Sequence, residues 1–328
     1  MSEYRTDPFT GRWVVIADER SRRPMPVVAP QRLPRGTPGA CPFCPGNETL
    51  TGKTVHEEPA AGHGARVVAN RYPALRVEES GSRFGAPPRD GRTGLGAHEV
   101  VVETPDHEVD FMDLPDEARL AVFRAWRHRA RDLLRDLRLG HVIVYKNHEV
   151  AAGATLPHAH SQVVATPTPG PRPALEFSRA AEHHRRTGRC LRCDVLADET
   201  EAGPRLVATR GRVTAVAPYA ARVPFETTIT PLGHEGRFEE TSDRTLTDLA
   251  GLVGTVLRRI RVALDDPAYT LVLHTAARDT SSDSFHWHLE VVPRLVPAAG
   301  FEWGTGTFIN PTRPEDAAAA LRALVDVP

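Results

Sequence analysis

One constellation of metal-binding residue types occurs twice in this chain. Cys41-Pro-Phe-Cys44, His107 and His158-Ala-His160 recur as Cys190-Leu-Arg-Cys193, His234 and His286-Trp-His288. Both cysteines shift by 149 residues between copies, the single histidine by 127 and the His-x-His pair by 128. All 4 cysteines are consumed by the pattern. Such spacing implies a duplicated unit that closes one Cys2His2 site per copy, so the two halves must fold alike. Only the first copy continues as His-x-His-x-Gln, which separates a half suited to chemistry from a half suited to support.

With 328 residues the chain can build two domains that each bury a core. We place the first at residues 1–170 and the second at 171–328. The formal net charge of −1, from 41 basic and 42 acidic side chains, argues against a nucleic-acid or membrane surface, both of which need a basic excess. No run of about eighteen apolar residues is present. The first residues, Met1-Ser2-Glu3-Tyr4-Arg5, lack the apolar stretch of a signal peptide. Cysteines placed as CxxC pairs fit thiolate ligands in a reducing compartment, so a cytoplasmic location is expected.

Hydrophobic periodicity repeats in the same order in both halves. Strand-like runs at 98–103, 141–145 and 158–165 surround a helix at 116–137; their counterparts are 227–230, 270–274 and 286–292 around a helix at 245–264. The expected class is α+β, with antiparallel sheets and one long helix per repeat. Residues 80–96, rich in Gly, Pro and Arg, read as a mobile loop, and Pro167–Pro173 as a stiff connector.

In a strand, alternate residues share a face, so His158, His160 and Gln162 are expected to point the same way. His158 completes the first metal set with Cys41, Cys44 and His107. His160 is left free beside a rigid centre. A neutral imidazole whose Nδ1–H is held by a carbonyl presents the Nε2 lone pair as a nucleophile. Gln162 can donate its NH2 to a phosphoryl oxygen but cannot act as an acid. That chemistry suits transfer between phosphorylated groups better than hydrolysis. Soft thiolates with imidazoles and no open position select a structural Zn2+ in each copy. The second set is Cys190, Cys193, His234 and His286, with His274 and His288 as alternatives for its fourth ligand.

The His-Ala-His-Ser-Gln run, Asp7-Pro-Phe-Thr-Gly-Arg-Trp13, Cys41-Pro-Phe-Cys44-Pro-Gly-Asn-Glu48, Asn70-Arg-Tyr-Pro-Ala-Leu75, Thr104-Pro-Asp-His107 and Gly300-Phe-Glu-Trp-Gly-Thr-Gly-Thr-Phe-Ile-Asn310 together resemble the galactose-1-phosphate uridylyltransferase branch of the histidine-triad superfamily. Ser161 and the C-terminal run are most similar to its ADP-glucose phosphorylase-like members. The resemblance spans nearly the whole chain. It implies two tandem histidine-triad (HIT)-like domains with half-barrel sheets, and a ping-pong reaction through a nucleotidyl group on His160. It implies substrate contacts at Asn70, Asn147, Gly153, Thr155 and Ser161, and at Glu302 across a homodimer interface. Nucleotide sugars, with phosphate or a sugar 1-phosphate as acceptor, are the implied partners. In the second copy Glu290 stands where Gln162 stands in the first, and its charge repels a phosphoryl group; that copy reads as scaffold. A non-catalytic nucleotide binder and a HIT-type nucleotide hydrolase are the competing expectations.

Overall fold

The computed structural model describes residues 2–22, 32–59 and 64–325. Its strands are β1 Glu3–Thr6, β2 Trp13–Ile16, β3 Thr54–Glu58, β4 Ala65–Ala69, β5 Arg83–Ala86, β6 Arg89–Arg92, β7 Ala97–Val102, β8 His141–His148, β9 His160–Thr166, β10 Leu206–Arg210, β11 Val213–Val216, β12 Thr227–Pro231, β13 Tyr269–His274, β14 His288–Pro293 and β15 Phe308–Asn310. The helices are α1 Asp116–Leu133, α2 Pro171–Thr187, α3 Leu191–Ala202, α4 Asp243–Leu264, α5 Gly300–Thr305 and α6 Pro314–Ala323.

Ten strands form one sheet in the order β10-β11-β12-β14-β13-β8-β9-β7-β4-β3. Every neighbouring pair in it is antiparallel. Read outward from the centre, each half repeats the other, so a pseudo-twofold axis passes between β8 and β13. Those two strands pair from Tyr269↔His148 to His274↔Ile143 and make the halves continuous. A second, three-stranded sheet joins β1, β2 and β15, the last parallel to β2.

The long helices lie together on one face. Leu246, Leu249, Val253, Val256, Leu257 and Ile260 give α4 an apolar stripe at helical spacing, and Ala118, Val122, Ala125, Trp126 and Leu133 do so for α1. Ser242 caps α4 by accepting from Thr245 N–H at 3.2 Å. The helices cross closely: the Arg119 guanidinium reaches Ala250 O at 2.9 Å, and a Cβ on Gly254 would lie 2.4 Å from it. Val101, Val142, Val144, Val163, Leu271, Leu273, Leu289 and Val291 complete this core from the sheet. The intervening strand residues face the opposite side. No described helix is long and apolar enough to cross a membrane.

Four sequence expectations need correction. The strands expected from His158 and His286 begin two residues later, at His160 and His288, so the first histidine of each His-x-His pair sits on the loop that enters the strand. Residues 80–96 are not simply loop: β5 and β6 pair as a short hairpin. The proline-rich connector already enters α2 at Pro171, which takes the first helical turn, where its missing N–H costs nothing. The first long helix ends at Leu133, short of the expected 137.

Candidate active site and metal centres

The period-two alternation of β9 decides what reaches the open face. Ser161, Val163 and Ala165 turn toward α1, while His160 and Gln162 turn away. Ser161 is therefore not brought to the site, against expectation. Its side chain is 1% exposed, and its hydroxyl accepts from Trp126 Nε1 at 2.8 Å within the helical layer.

Cys41, Cys44, His107 and His158 converge in the first half, all buried, with their ligating atoms within 4.8 Å of one another. Sulfur-to-imidazole distances are 3.5 Å for Cys41–His158, 3.3 Å for Cys44–His107 and 3.6 Å for Cys44–His158. A tetrahedral zinc with its usual Zn–S and Zn–N bonds separates such atoms by about 3.6 Å. Each ring's outer nitrogen is fixed: His158 Nε2–H donates to Thr104 O at 2.8 Å, and His107 Nε2–H to Arg35 O at 2.6 Å. Both Nδ1 lone pairs are thereby aimed at the centre, as metal ligands require.

The second cluster is Cys190, Cys193, His234 and His286. Cys193 lies 3.4 Å from His234 and 3.5 Å from His286, and His234 Nε2–H donates to Ser282 O at 2.8 Å. His274 and His288 do not enter it. They stack at 4.6 Å, nearly parallel, inside a separate buried group with Glu176 and Glu290. That group is an ion-pair network: Arg222 reaches Glu290 at 2.8 Å, Arg172 also bonds Glu290, and His274 Nδ1 is 3.4 Å from Glu176. Burial alone would lower the pKa of His274, but Glu176 and Glu290 hold it raised. Glu176 and Arg172 come from α2, so the connector reading hid this network.

His160 follows the first cluster by two residues. Its Nδ1–H donates to His158 O at 2.9 Å, and its ring lies 5.2 Å from that of Phe43. No hydrogen bond engages its Nε2 among the described residues. Burial, and then the Lys146 ammonium, push its pKa down to about 4, so the ring is neutral at ordinary pH. Lys146 sits beneath the strand, bonded to Glu103 at 2.6 Å and to His160 O at 3.1 Å.

Gln162 stands two residues further along. Tyr145 is its register partner on β8 and donates its OH to Gln162 Oε1 at 2.9 Å. His98 on β7 meets the same oxygen at 2.6 Å. Neither residue was anticipated; period-two phasing of β7 and β8 against Gln162 would have flagged both. Carried two residues beyond Tyr145↔Gln162, the register sets Asn147 opposite His160. Gly153, with φ of +90°, borders Asn147: a Cβ there would lie 3.6 Å from its Nδ2. Asn70 follows β4 and places Nδ2 3.1 Å from His98 Nε2. Thr155 is exposed on the loop before β9. Glu302 lies apart on α5, where its carboxylate accepts from Ala299 N–H at 2.9 Å and caps its own helix. Two larger clefts, of about 510 and 570 Å3, are lined by neither His160 nor Gln162.

A neutral, unengaged imidazole two residues beyond a Cys2His2 set able to hold a metal, with a fixed amide on the same strand face, fits the nucleotidyltransferase class that the relatives of this chain represent. The family described as galactose-1-phosphate uridyl transferase, N-terminal domain, matches residues 1–168, and the chain belongs to it. It is 32% identical to the ADP-glucose phosphorylase of Arabidopsis thaliana over 98% of this chain and 92% of that one. It is 28% identical to the galactose-1-phosphate uridylyltransferase of Thermotoga maritima, covering 98% of both. The crystal structure of an ADP-glucose phosphorylase from A. thaliana with bound ADP-glucose superposes with a TM-score of 0.87, at 30% identity and 99% coverage of both chains.

Proposed function

We propose that the chain moves a nucleoside monophosphate from a nucleotide sugar to phosphate or a sugar 1-phosphate, through a covalent nucleotidyl-His160 intermediate. One observation carries this reading. His160 has Nδ1–H tied to a backbone carbonyl, Nε2 unengaged, and the amide of Gln162 on the same strand face. Nε2 attacks the α-phosphorus as the P–O bond to the sugar 1-phosphate breaks; that phosphate leaves with the electron pair. The imidazole then carries a positive charge, which the His158 carbonyl accommodates through Nδ1–H. In the second half-reaction an acceptor phosphate oxygen attacks, the P–N bond breaks, and the neutral ring returns. Gln162 stabilises the equatorial oxygens in both passages. Asn147, Gly153, Thr155 and Asn70 are taken as the surrounding substrate contacts.

Similarity to the plant phosphorylase over nearly the full chain favours an adenylyl donor with phosphate as acceptor; a uridylyl donor with a hexose 1-phosphate acceptor is the second reading. Both Cys2His2 clusters are assigned to structural Zn2+. Residues 1–170 carry the chemistry, and 171–328 support it. Glu302 caps its own helix, and no described hydrogen bond ties it to the residues around His160, so its proposed role in sugar binding is assigned across a homodimer interface. Four unpaired cysteines serving as ligands suit a cytoplasmic setting.

Intact-mass measurement after separate incubation with ADP-glucose and UDP-glucose tests the reading. The added mass identifies the base, and His160→Gly abolishes it. No adduct with either donor, or full exchange of labelled sugar 1-phosphate by His160→Gly, refutes it.

A further inference from the structure

Gln162 is useful to a phosphoryl group only if its NH2, and not its carbonyl, faces the substrate. An amide is nearly symmetric in shape, so packing alone does not choose between the two orientations. Hydrogen bonds must, and the structure holds a short chain of them. Ala74 N–H donates to His98 Nδ1 at 3.1 Å. That nitrogen is therefore an acceptor, and the proton of the neutral ring sits on Nε2. Nε2–H then donates to Gln162 Oε1 at 2.6 Å. Tyr145 OH supplies a second donor to the same oxygen from the other neighbouring strand, at 2.9 Å. The His98 Nε2–H excludes the flipped amide, which would set NH2 against it, while the Tyr145 hydroxyl, able to donate or accept, follows the orientation that His98 imposes. The Gln162 NH2 has no acceptor among the described residues.

We propose that His98 is a positioning residue: the backbone at Ala74 sets its tautomer, and the tautomer sets which end of Gln162 meets the transferred phosphoryl group. Asn70 fits this scheme. Its Oδ1 accepts from Tyr72 N–H at 2.9 Å, so its NH2 also turns toward His98 Nε2, 3.1 Å away. Donor then faces donor, and the acceptor this NH2 requires comes from the ligand. The anionic oxygens of a nucleotide meet that need. His98 thus orders the Gln162 amide, and Tyr72 N–H orders that of Asn70 beside it.

This inference rests on the transfer reading, and its test separates the two. In single-turnover adduct formation, His98→Leu slows nucleotidylation of His160 about tenfold, the worth of one oriented hydrogen bond, with KM for the nucleotide sugar nearly unchanged. His98→Gln, which restores a donor near Nε2, recovers most of the rate. In a Gln162→Ala background, His98→Leu costs less than about twofold, because the residue it positions is gone. An undiminished penalty in that background overturns the proposal, as does a parent-like rate for His98→Leu. A second readout does not depend on activity. The side-chain NH2 signals of Gln162, identified as the pair lost in Gln162→Ala, are sharp in the parent and exchange-broadened or shifted in His98→Leu. If the parent forms no adduct, the transfer reading fails, and this amide signal alone decides the role of His98; unchanged signals refute it.

Discussion

Two buried histidines that take no part in the transfer step make a quantitative forecast about acid stability. His141 is 3% exposed and packs against Phe177; His148 is 7% exposed and stacks on Tyr269 at 4.7 Å, with no partner for its Nε2. Burial, reinforced by His274 for the first and by Lys146 for the second, pushes their pKa values down to about 4 and about 3, from the ordinary 6.5. Between those limits the unfolded chain binds protons that the folded chain refuses. Stability is therefore full above pH 6.5 and falls as the pH drops toward 4. At pH 5 nearly every unfolded imidazole is charged and nearly every folded one is neutral, so each residue costs about 2 kcal/mol relative to pH 7, or about 4 kcal/mol for the pair. Metal release and His274 also respond to acid, and His274, whose pKa is raised, opposes the trend. Metal release cancels when the parent is compared with His141→Gln/His148→Gln, and the His274 contribution nearly cancels, because the folded parent keeps His141 uncharged at both pH values and so leaves the charge on His274 unopposed by it. Lost ring packing lowers the variant at both pH values and cancels as well. Urea unfolding, followed by the fluorescence of the fully buried Trp126 and Trp287, should show the variant losing about 4 kcal/mol less than the parent between pH 7 and pH 5. Equal losses in parent and variant refute the claim that these rings are held neutral by burial.

Other perturbations test the remaining parts. Lys146→Met strands the buried Glu103 carboxylate and should cost about 3–5 kcal/mol in urea unfolding, while Lys146→Met/Glu103→Leu recovers most of it; a single variant as stable as the parent contradicts the pairing. Chelation should lower the thermal midpoint and nucleotidyl transfer together, with the second cluster emptying first because its His234 is exposed. Metal-per-chain mass spectrometry follows the order, and an unchanged midpoint after complete removal rules out a structural role. Gln162→Glu should slow adduct formation by about a hundredfold or more, since a carboxylate replaces an oriented donor; a parent-like single-turnover rate removes Gln162 from the mechanism.

The sequence displayed what repeats locally. CxxC spacing, His-x-His pairs and helical stripes each depend on residues a few positions apart, so the metal sets and α1 and α4 were readable to within a few residues. The antiparallel α+β class followed from the order of those runs. The fusion of both halves through β8 and β13 was not readable, because it depends on pairing residues more than a hundred positions apart, and both strands look like ordinary internal ones. The Glu176, His274, His288 and Glu290 network was missed for a related reason. Its acid at 176 lies in a helix that the preceding prolines disguised, and its value appears only once α2 crosses the sheet. Ser161 shows the reverse fault: the alternation that placed His160 and Gln162 together already assigned Ser161 to the other face. His98 looked like one polar residue in a strand, and only the diagonal from β7 to β9 gives it work.

The same strand position has opposite fates in the two halves, and the reason is electrostatic. Gln162 is neutral, so its carbonyl needs only His98 and Tyr145, and its NH2 can remain open. Glu290 is charged and 7% exposed, and it has to be compensated. Arg172, Arg222 and His274 supply that compensation, and Arg172 arrives on α2, which lies against this face with Glu176 and Phe177. His288 is pinned in the process between His274 and the covering helix. A carboxylate at this position is covered by the cations and the helix that neutralise it, whereas the amide at the equivalent position in the first half needs no cation, and no hydrogen bond engages Nε2 of the imidazole beside it among the described residues. Duplication supplied two anchored strands. The residue four positions beyond the last histidine of each Cys2His2 set decides which of them is covered by an ion-pair network.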